Sequence, residues 1–210
     1  AMVPKKAITL KDIADELDLS KVSVSKALRD HPDIGPETKQ LVRETAERLG
    51  YVPNFMARNL SSKQSRTIGL VVPKIAHHFF ASAIETIYQT AFENNYEIIM
   101  TVSQESFENE LIHLQTLLSM QVDGLIISVT EQTKDTAIFE TVRKQNIPLV
   151  FFDRVFENLG FSTVTADDEQ GTYNAITEII NTGYTKIAHL AGYSYTNIGK
   201  KRQSGFKRAM

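Results

Sequence analysis

The chain has 210 residues, 42% of them hydrophobic and 23% charged, with no cysteine and a formal net charge of -2. This is an ordinary composition for one large domain or a small domain joined to a medium one; it argues against disorder and excludes a disulfide framework, a zinc–thiolate site and a cysteine nucleophile. The charge is uneven: residues up to Arg66 carry 12 Lys and Arg against 9 Asp and Glu, the remainder 11 against 16, and a basic head on an acidic body fits a head that meets phosphate.

The N-terminal AMVPKK holds no apolar run of signal-peptide length, and the Ala before Met2 reads as a cloning remnant. No later stretch approaches the roughly 20 apolar residues of a membrane span, so a cytoplasmic protein without membrane contact is expected. In TLKDIADELDLSKVSVSKALRD, Thr9 can cap a helix, with Asp12 closing a capping box and Leu10, Ile13, Ala14 and Leu17 forming one apolar stripe. Ser20 can cap a second helix, with Val24, Ala27 and Leu28 as its stripe, and so short a turn between the two predicts a helix-turn-helix. Gly35-Pro36 announces a third helix, with Val42, Ala46 and Leu49 inward and Gly50 as its stop.

The second helix then leaves Lys21, Val22, Ser25, Lys26 and Arg29 uncovered. Short, basic and hydroxyl side chains at a helix start can enter a DNA major groove, where Lys donates to guanine and an apolar group meets a thymine methyl. A solvated face that happens to be basic is the alternative. After Pro53, Asn54 can cap a helix running to about Ser61, too short to be stable alone in water. From Thr67 the pattern turns to strand-like TIGLVV, YEIIMTV, GLIIS and PLVFF, separated by the amphipathic runs AIETIYQTAFENN, ENELIHLQTLLSM and TAIFETVRKQN. This βαβαβαβ order predicts a doubly wound parallel sheet, continued by STVTA, a helix over about 169–182, a strand at IAHLAG and a final helix from about Lys200.

Ligands of such sheets bind beyond the carboxyl ends of the strands. Those positions hold His77, His78, Phe79 and Phe80, then Ser103 and Gln104, Ser128, and Asp153 with Arg154. An aromatic pair with an Asp-Arg pair suits a sugar, by stacking and by hydrogen bonds to hydroxyls. Phe79 and Phe80 could equally be helix-start core, Asp153-Arg154 a surface ion pair, and Asp167 and Asp168 helix caps. His77-His78 lacks a third convergent metal ligand, and His113 reads as an ordinary helix residue. No phosphate loop, nucleophile elbow or His-Glu-x-x-His motif occurs, so neither catalysis, a metal nor a cofactor is expected.

ITLKDIADELDLSKVSVSKALRD and IGPETKQLVRETAERLGYVPNFMARNLSSKQSRTIGLVVP together resemble the lactose/galactose repressor family of bacterial transcription regulators, continuously from Ile8 to Pro73 and more loosely to the end. The resemblance implies a recognition-helix motif over Ser20, Lys21, Val22, Ser23, Val24, Ser25 and Lys26, with Lys21 and Val22 as the base readers; Lys26 stands where the family more often has Arg. It implies a hinge helix in which Asn54 is the cap, Ala57 permits close pairing with the dimer mate and Leu60 inserts into the minor groove. In the body it implies a periplasmic-binding-protein-like sensor, with Phe79 and Phe80 as the aromatic positions, Asp153-Arg154 the Asp-Arg pair, Asp167 the crossover Asp and Arg202 the Arg before Gly205-Phe206.

The expected organisation is a helix-turn-helix head over 1–53, a hinge over 54–66, a first α/β subdomain over 67–166 and the start of a second over 167–210. The unfinished helical pattern KKRQSGFKRAM makes a fragment of a longer chain the expectation. The expected function is a homodimeric repressor of a palindromic operator in double-stranded DNA, allosterically controlled by a sugar or sugar phosphate; a nucleobase or partner-protein effector is the alternative. An enzyme would leave the head and hinge unexplained, and a freestanding sugar-binding protein would carry a signal peptide and no such head.

Overall fold

The structure, a computed structural model, describes residues 8–52, 64–193 and 196–210. The chain divides into two units, one through Ser61 and one from Ser62.

In the first unit, α1 (Leu10–Leu17), α2 (Lys21–Leu28) and α3 (Pro36–Leu49) close one core. The capping box forms: the Thr9 amide and hydroxyl both donate to Asp12 Oδ2 at 2.7 Å. Asp18 turns left-handed at φ 51°, and the Leu19 amide returns to the Ala14 carbonyl at 2.9 Å, which stops α1 in time for Ser20 to cap α2. At the end of α3, Gly50 adopts φ 70° and lets the Tyr51 amide reach the Ala46 carbonyl at 2.8 Å, a geometry that costs a Cβ-bearing residue strain. Ile13, Ala14, Val24, Ala27, Val42 and Ala46 are buried, and Leu10, Leu17, Leu28 and Leu49 pack around them. The three stripes expected from the sequence thus meet as one core.

The second unit begins with β1 (Thr67–Val72), α4 (His78–Glu93), β2 (Glu97–Val102), α5 (Phe107–Ser119), β3 (Gly124–Ile127), α6 (Ala137–Lys144) and β4 (Leu149–Phe152). A short 3-10 turn, β5 (Ser162–Val164), α7 (Asp168–Asn181) and α8 (Asn197–Ala209) follow. The strands lie parallel in the order β2-β1-β3-β4-β5. Alternation along the strands sends residues to two faces. Val71, Leu125, Ile127 and Phe151 pack with Leu114 and Leu117 of α5 and Phe139 and Val142 of α6, whereas Leu70, Val72 and Phe152 pack with Phe80, Ile84 and Ile87 of α4. Phe139 and Phe151 are fully buried and meet edge to face at 5.0 Å; burying a side chain of that size is worth about 1.5–3 kcal/mol.

Register brings the strand ends level. Val72 pairs with Val102, Val71 with Ile127 and Ile127 with Phe151, so the residues just past these strands gather along one edge of the sheet. The Asp123 carboxylate fixes the opposite end of β1, accepting from the Ser65 amide at 2.7 Å and the Arg66 amide at 2.9 Å. One expected element is corrected: residues 187–192, IAHLAG, form no strand, and Leu190 is 98% exposed. A strand exists through its ladder, and no described strand pairs with this segment. α8 packs on α7 instead; a Cβ at Gly205 would fall on the Glu169 carbonyl, so only glycine permits that approach.

Candidate functional site

The sequence-predicted site residues fall on two surfaces, one in each unit. The first is the outer face of α2. Ser20 Oγ accepts from the Ser23 amide at 3.0 Å and lies 2.9 Å from the Ser23 hydroxyl, so Ser20 and Ser23 fix the start of the helix. Buried Val24 and Ala27 then orient it, leaving Lys21 exposed and Val22 65% exposed at its first turn. An isolated valine that open is solvated at a cost, which contact with an apolar group would relieve. Lys21 has no ion pair among the described residues.

The other predicted contacts are braced. Lys26 Nζ lies 2.7 Å from Asp33 Oδ2, which also lies 3.3 Å from His31 Nδ1, and the Lys26 hydrogen bond, then the nearby charges, hold the Asp33 carboxyl below its ordinary range. Arg29 Nε donates to the Ser25 carbonyl at 3.2 Å, Ser25 is half-buried, and Thr9 is an exposed cap of α1. Asn54, Ala57 and Leu60 lie outside the described residues.

The second surface is the edge beyond the strand ends. The two phenylalanines part company: Phe80 is buried against Phe152 at 6.2 Å, while Phe79 is 48% exposed. Ser103 is fully buried, its amide donating to the Val72 carbonyl at 3.0 Å, and serves as a brace between β2 and β1. Ser128 is also fully buried, and its hydroxyl has no hydrogen-bond partner among the described residues. Such an orphan is costly unless something else supplies the bond.

Asp153 and Arg154 also divide. Asp153 sits at φ 60°, its amide donating to the Val164 carbonyl at 3.0 Å. Burial pushes its carboxyl above the ordinary range; Arg154, Arg202 and His77 pull it down, and Asp168 pushes it up. Arg154 Nη1 instead lies 2.8 Å from Glu105 Oε2, and Nη2 lies 3.3 Å from Glu131 Oε1, so it joins the loops after β2, β3 and β4. Burial raises the Glu105 carboxyl, but the Arg154 hydrogen bond and its companions hold it below the ordinary range.

Asp167 is exposed and caps α7, accepting from the Gln170 amide at 3.0 Å. Its neighbour Asp168, with only 8% of its side chain exposed, takes Arg202 Nε at 2.8 Å. The Asp168 pairing, the Asn197 clamp, in which Nδ2 donates to the Asp153 carbonyl at 3.0 Å and Oδ1 accepts from the Val155 amide at 3.2 Å, and buried Glu110 are bracing contacts near this edge that sequence reasoning missed. In the sequence Asp168 reads only as a possible cap, and nothing local to Asn197 or Glu110 signals partners so far along the chain. The edge therefore brings together Asp153, Asp168 and Arg202, with His77 within electrostatic reach.

Residues 9–54 match the model of bacterial regulatory proteins of the lacI family, and residues 65–210 match that of periplasmic binding proteins and the sugar binding domain of the LacI family. Catabolite control protein A of Priestia megaterium is 33% identical over 204 residues, covering 97% of this chain and 61% of that protein. The HTH-type transcriptional regulator pepR1 of Lactobacillus delbrueckii subsp. lactis is 30% identical, covering 93% of this chain and 58% of the relative. The solved lac repressor dimer bound to operator and the anti-inducer ONPF is 25% identical with a TM-score of 0.82, covering 97% of this chain and 62% of the repressor chain. The chain spans about three fifths of the length of the curated relatives it matches.

Proposed function

The chain belongs to the LacI family of bacterial regulatory proteins, and from that premise we propose that it is a sequence-specific, cytoplasmic DNA-binding regulator, a repressor acting as a homodimer on a palindromic operator. The observation that carries this reading is the start of α2, where a capped and core-anchored helix holds Lys21 and Val22 out to solvent. Thr9, Ser20, Ser23, Ser25, Lys26 and Arg29 support the face by capping or bracing it or by adding positive charge. Asn54, Ala57 and Leu60, which lie outside the described residues, are the positions this reading assigns to contacts with DNA and the dimer mate. Among the curated relatives are regulators and repressors, and the lac repressor binds operator DNA as a dimer; catalysis forms no part of the proposal.

The effector is a small polyhydroxylated molecule, a sugar, held at the strand-end edge. Phe79 offers a ring face, Ser128 an unsatisfied hydroxyl, and Asp153 and Arg202 an acceptor and a donor, with Asp168 orienting Arg202. Asp167, Phe80, Ser103 and Arg154 hold the frame. We divide the second unit at Asp167, into a first subdomain over 67–166 and a second segment over 167–210. Self-association uses the outer face of α4, where Tyr88 and Phe92 are exposed one turn apart with rings stacked at 6.5 Å. No described helix is long and apolar enough to cross a membrane.

Fluorescence anisotropy with a palindromic duplex at several salt concentrations tests the proposal. Affinity should fall steeply with salt and exceed that for random duplex, and a sugar effector should shift it. Equal affinity for palindrome and random duplex, or a flat salt response, would refute it.

A further inference from the structure

The two lysines of α2 are held differently. Lys21 has no ion pair among the described residues, whereas Lys26 Nζ lies 2.7 Å from Asp33 Oδ2. Lys26 follows Val22 by four residues, and residues so spaced on a helix share a face. The ammonium and its carboxylate therefore border the surface on which Val22 is exposed.

The segment that carries Asp33 is fixed to both neighbouring helices. The Asp30 amide donates to the Ala27 carbonyl at 3.1 Å and the His31 amide to the Lys26 carbonyl at 3.0 Å, closing the end of α2. Asp30, at φ 61°, holds Lys39 Nζ at 3.2 Å and Arg43 Nη2 at 3.0 Å through Oδ1, which ties the segment to α3. The Asp33 amide donates to His31 Nδ1 at 3.3 Å, and the Ile34 amide to the His31 carbonyl at 3.2 Å. Asp33 thus reaches Lys26 from a braced backbone.

The Lys26 side chain is 34% exposed and that of Asp33 57%, and a pair so open adds little to folding stability. It changes what Lys26 offers a partner. An ammonium carries three donors; with one on Asp33, two remain, so Lys26 keeps hydrogen bonds to give while its charge is cancelled. Attraction to phosphate follows charge and ignores sequence, whereas discrimination comes from directed bonds to base edges. A lysine already held also loses less side-chain freedom on binding.

We propose that Asp33 is a specificity-determining residue of the DNA-binding face: it aims Lys26 at a base edge and withdraws Lys26 from the sequence-independent attraction to phosphate. This rests on the reading of that face as a DNA-binding surface, and adds to it an acid that acts through Lys26.

Fluorescence anisotropy on the 210-residue chain tests this, over a range of salt, with random duplex and with the palindrome that the native chain selects from a random library. Asp33→Asn should tighten binding to random duplex by about threefold or more and steepen its log-log salt slope by about 0.9. Binding to the palindrome should gain less, so the ratio of the two affinities falls. Lys21→Gln should flatten the random-duplex slope by about 0.9, whereas Lys26→Gln should weaken binding to the palindrome without flattening that slope. In the Lys26→Gln background, Asp33→Asn should leave the ratio unchanged, and circular dichroism should be the same throughout. An unchanged or higher ratio in Asp33→Asn, equal flattening by the two lysine variants, or an equal fall in ratio without Lys26 would overturn the proposal, the last by making Asp33 act on DNA alone. A native chain that binds palindrome and random duplex equally would overturn the DNA-binding reading itself, and the proposal with it.

Discussion

The candidate sites of the two units hold their basic side chains differently. At the start of α2 Lys21 has no ion-pair partner among the described residues, although Lys26, Lys39, Arg43 and Arg48 of the head are paired, whereas at the strand-end edge of the body Arg154 and Arg202 are drawn into ion pairs with Glu105, Glu131 and Asp168. A surface built to meet a polyanion needs donors that are free before the partner arrives. An edge built to discriminate a small polar molecule needs donors already aimed, and ion pairs aim them at the cost of holding them.

If the units are energetically separate, damage should stay local. The largest effect is expected for Phe139→Ala, which should destabilise the body by about 3–5 kcal/mol. The two cores share no residue, so amide exchange across α1 to α3 should be unchanged; exchange that accelerated in both units would break the comparison. Glu110→Ala should cost about 2–4 kcal/mol by orphaning the Thr130 amide and the Thr133 hydroxyl.

Glu110→Gln sharpens the electrostatic half of the comparison. Burial raises the Glu110 carboxyl above the ordinary 4.5, so the folded body holds that proton more tightly than the unfolded chain. The stability this contributes is full below 4.5 and is lost as pH rises through the raised folded value. The glutamine variant should therefore lose less stability than the native chain between acid and neutral pH, read from urea midpoints. Identical pH profiles would contradict the assignment. A smaller effect, about 1 kcal/mol, is expected for Ser20→Ala, confined to the head and visible as a lower head melting temperature.

Legibility followed the distance between partners. Thr9–Asp12 and Ser20–Ser23 are three residues apart, so the caps of α1 and α2 could be read from the sequence, and apolar runs located the first four strands to within a residue at each end. The partners at the strand-end edge lie far apart along the chain, Arg154 49 positions after Glu105, Arg202 34 after Asp168 and Asn197 42 after Val155. Composition and periodicity hold no information about such pairings. The sequence of 187–192 misled for a related reason: its apolar residues suit a strand, but strand formation depends on a neighbour that no local pattern reports.

The central claim is that Lys21 and Val22, held out by the anchored α2, read bases. Selection from a randomised duplex library, with the native chain and with Lys21 and Val22 exchanged, tests it most directly. The native chain should recover a palindromic consensus and the exchanged variant a different one, each altered contact shifting preference by about 1–3 kcal/mol at its base pair. An unchanged consensus in the exchanged variant would contradict the claim.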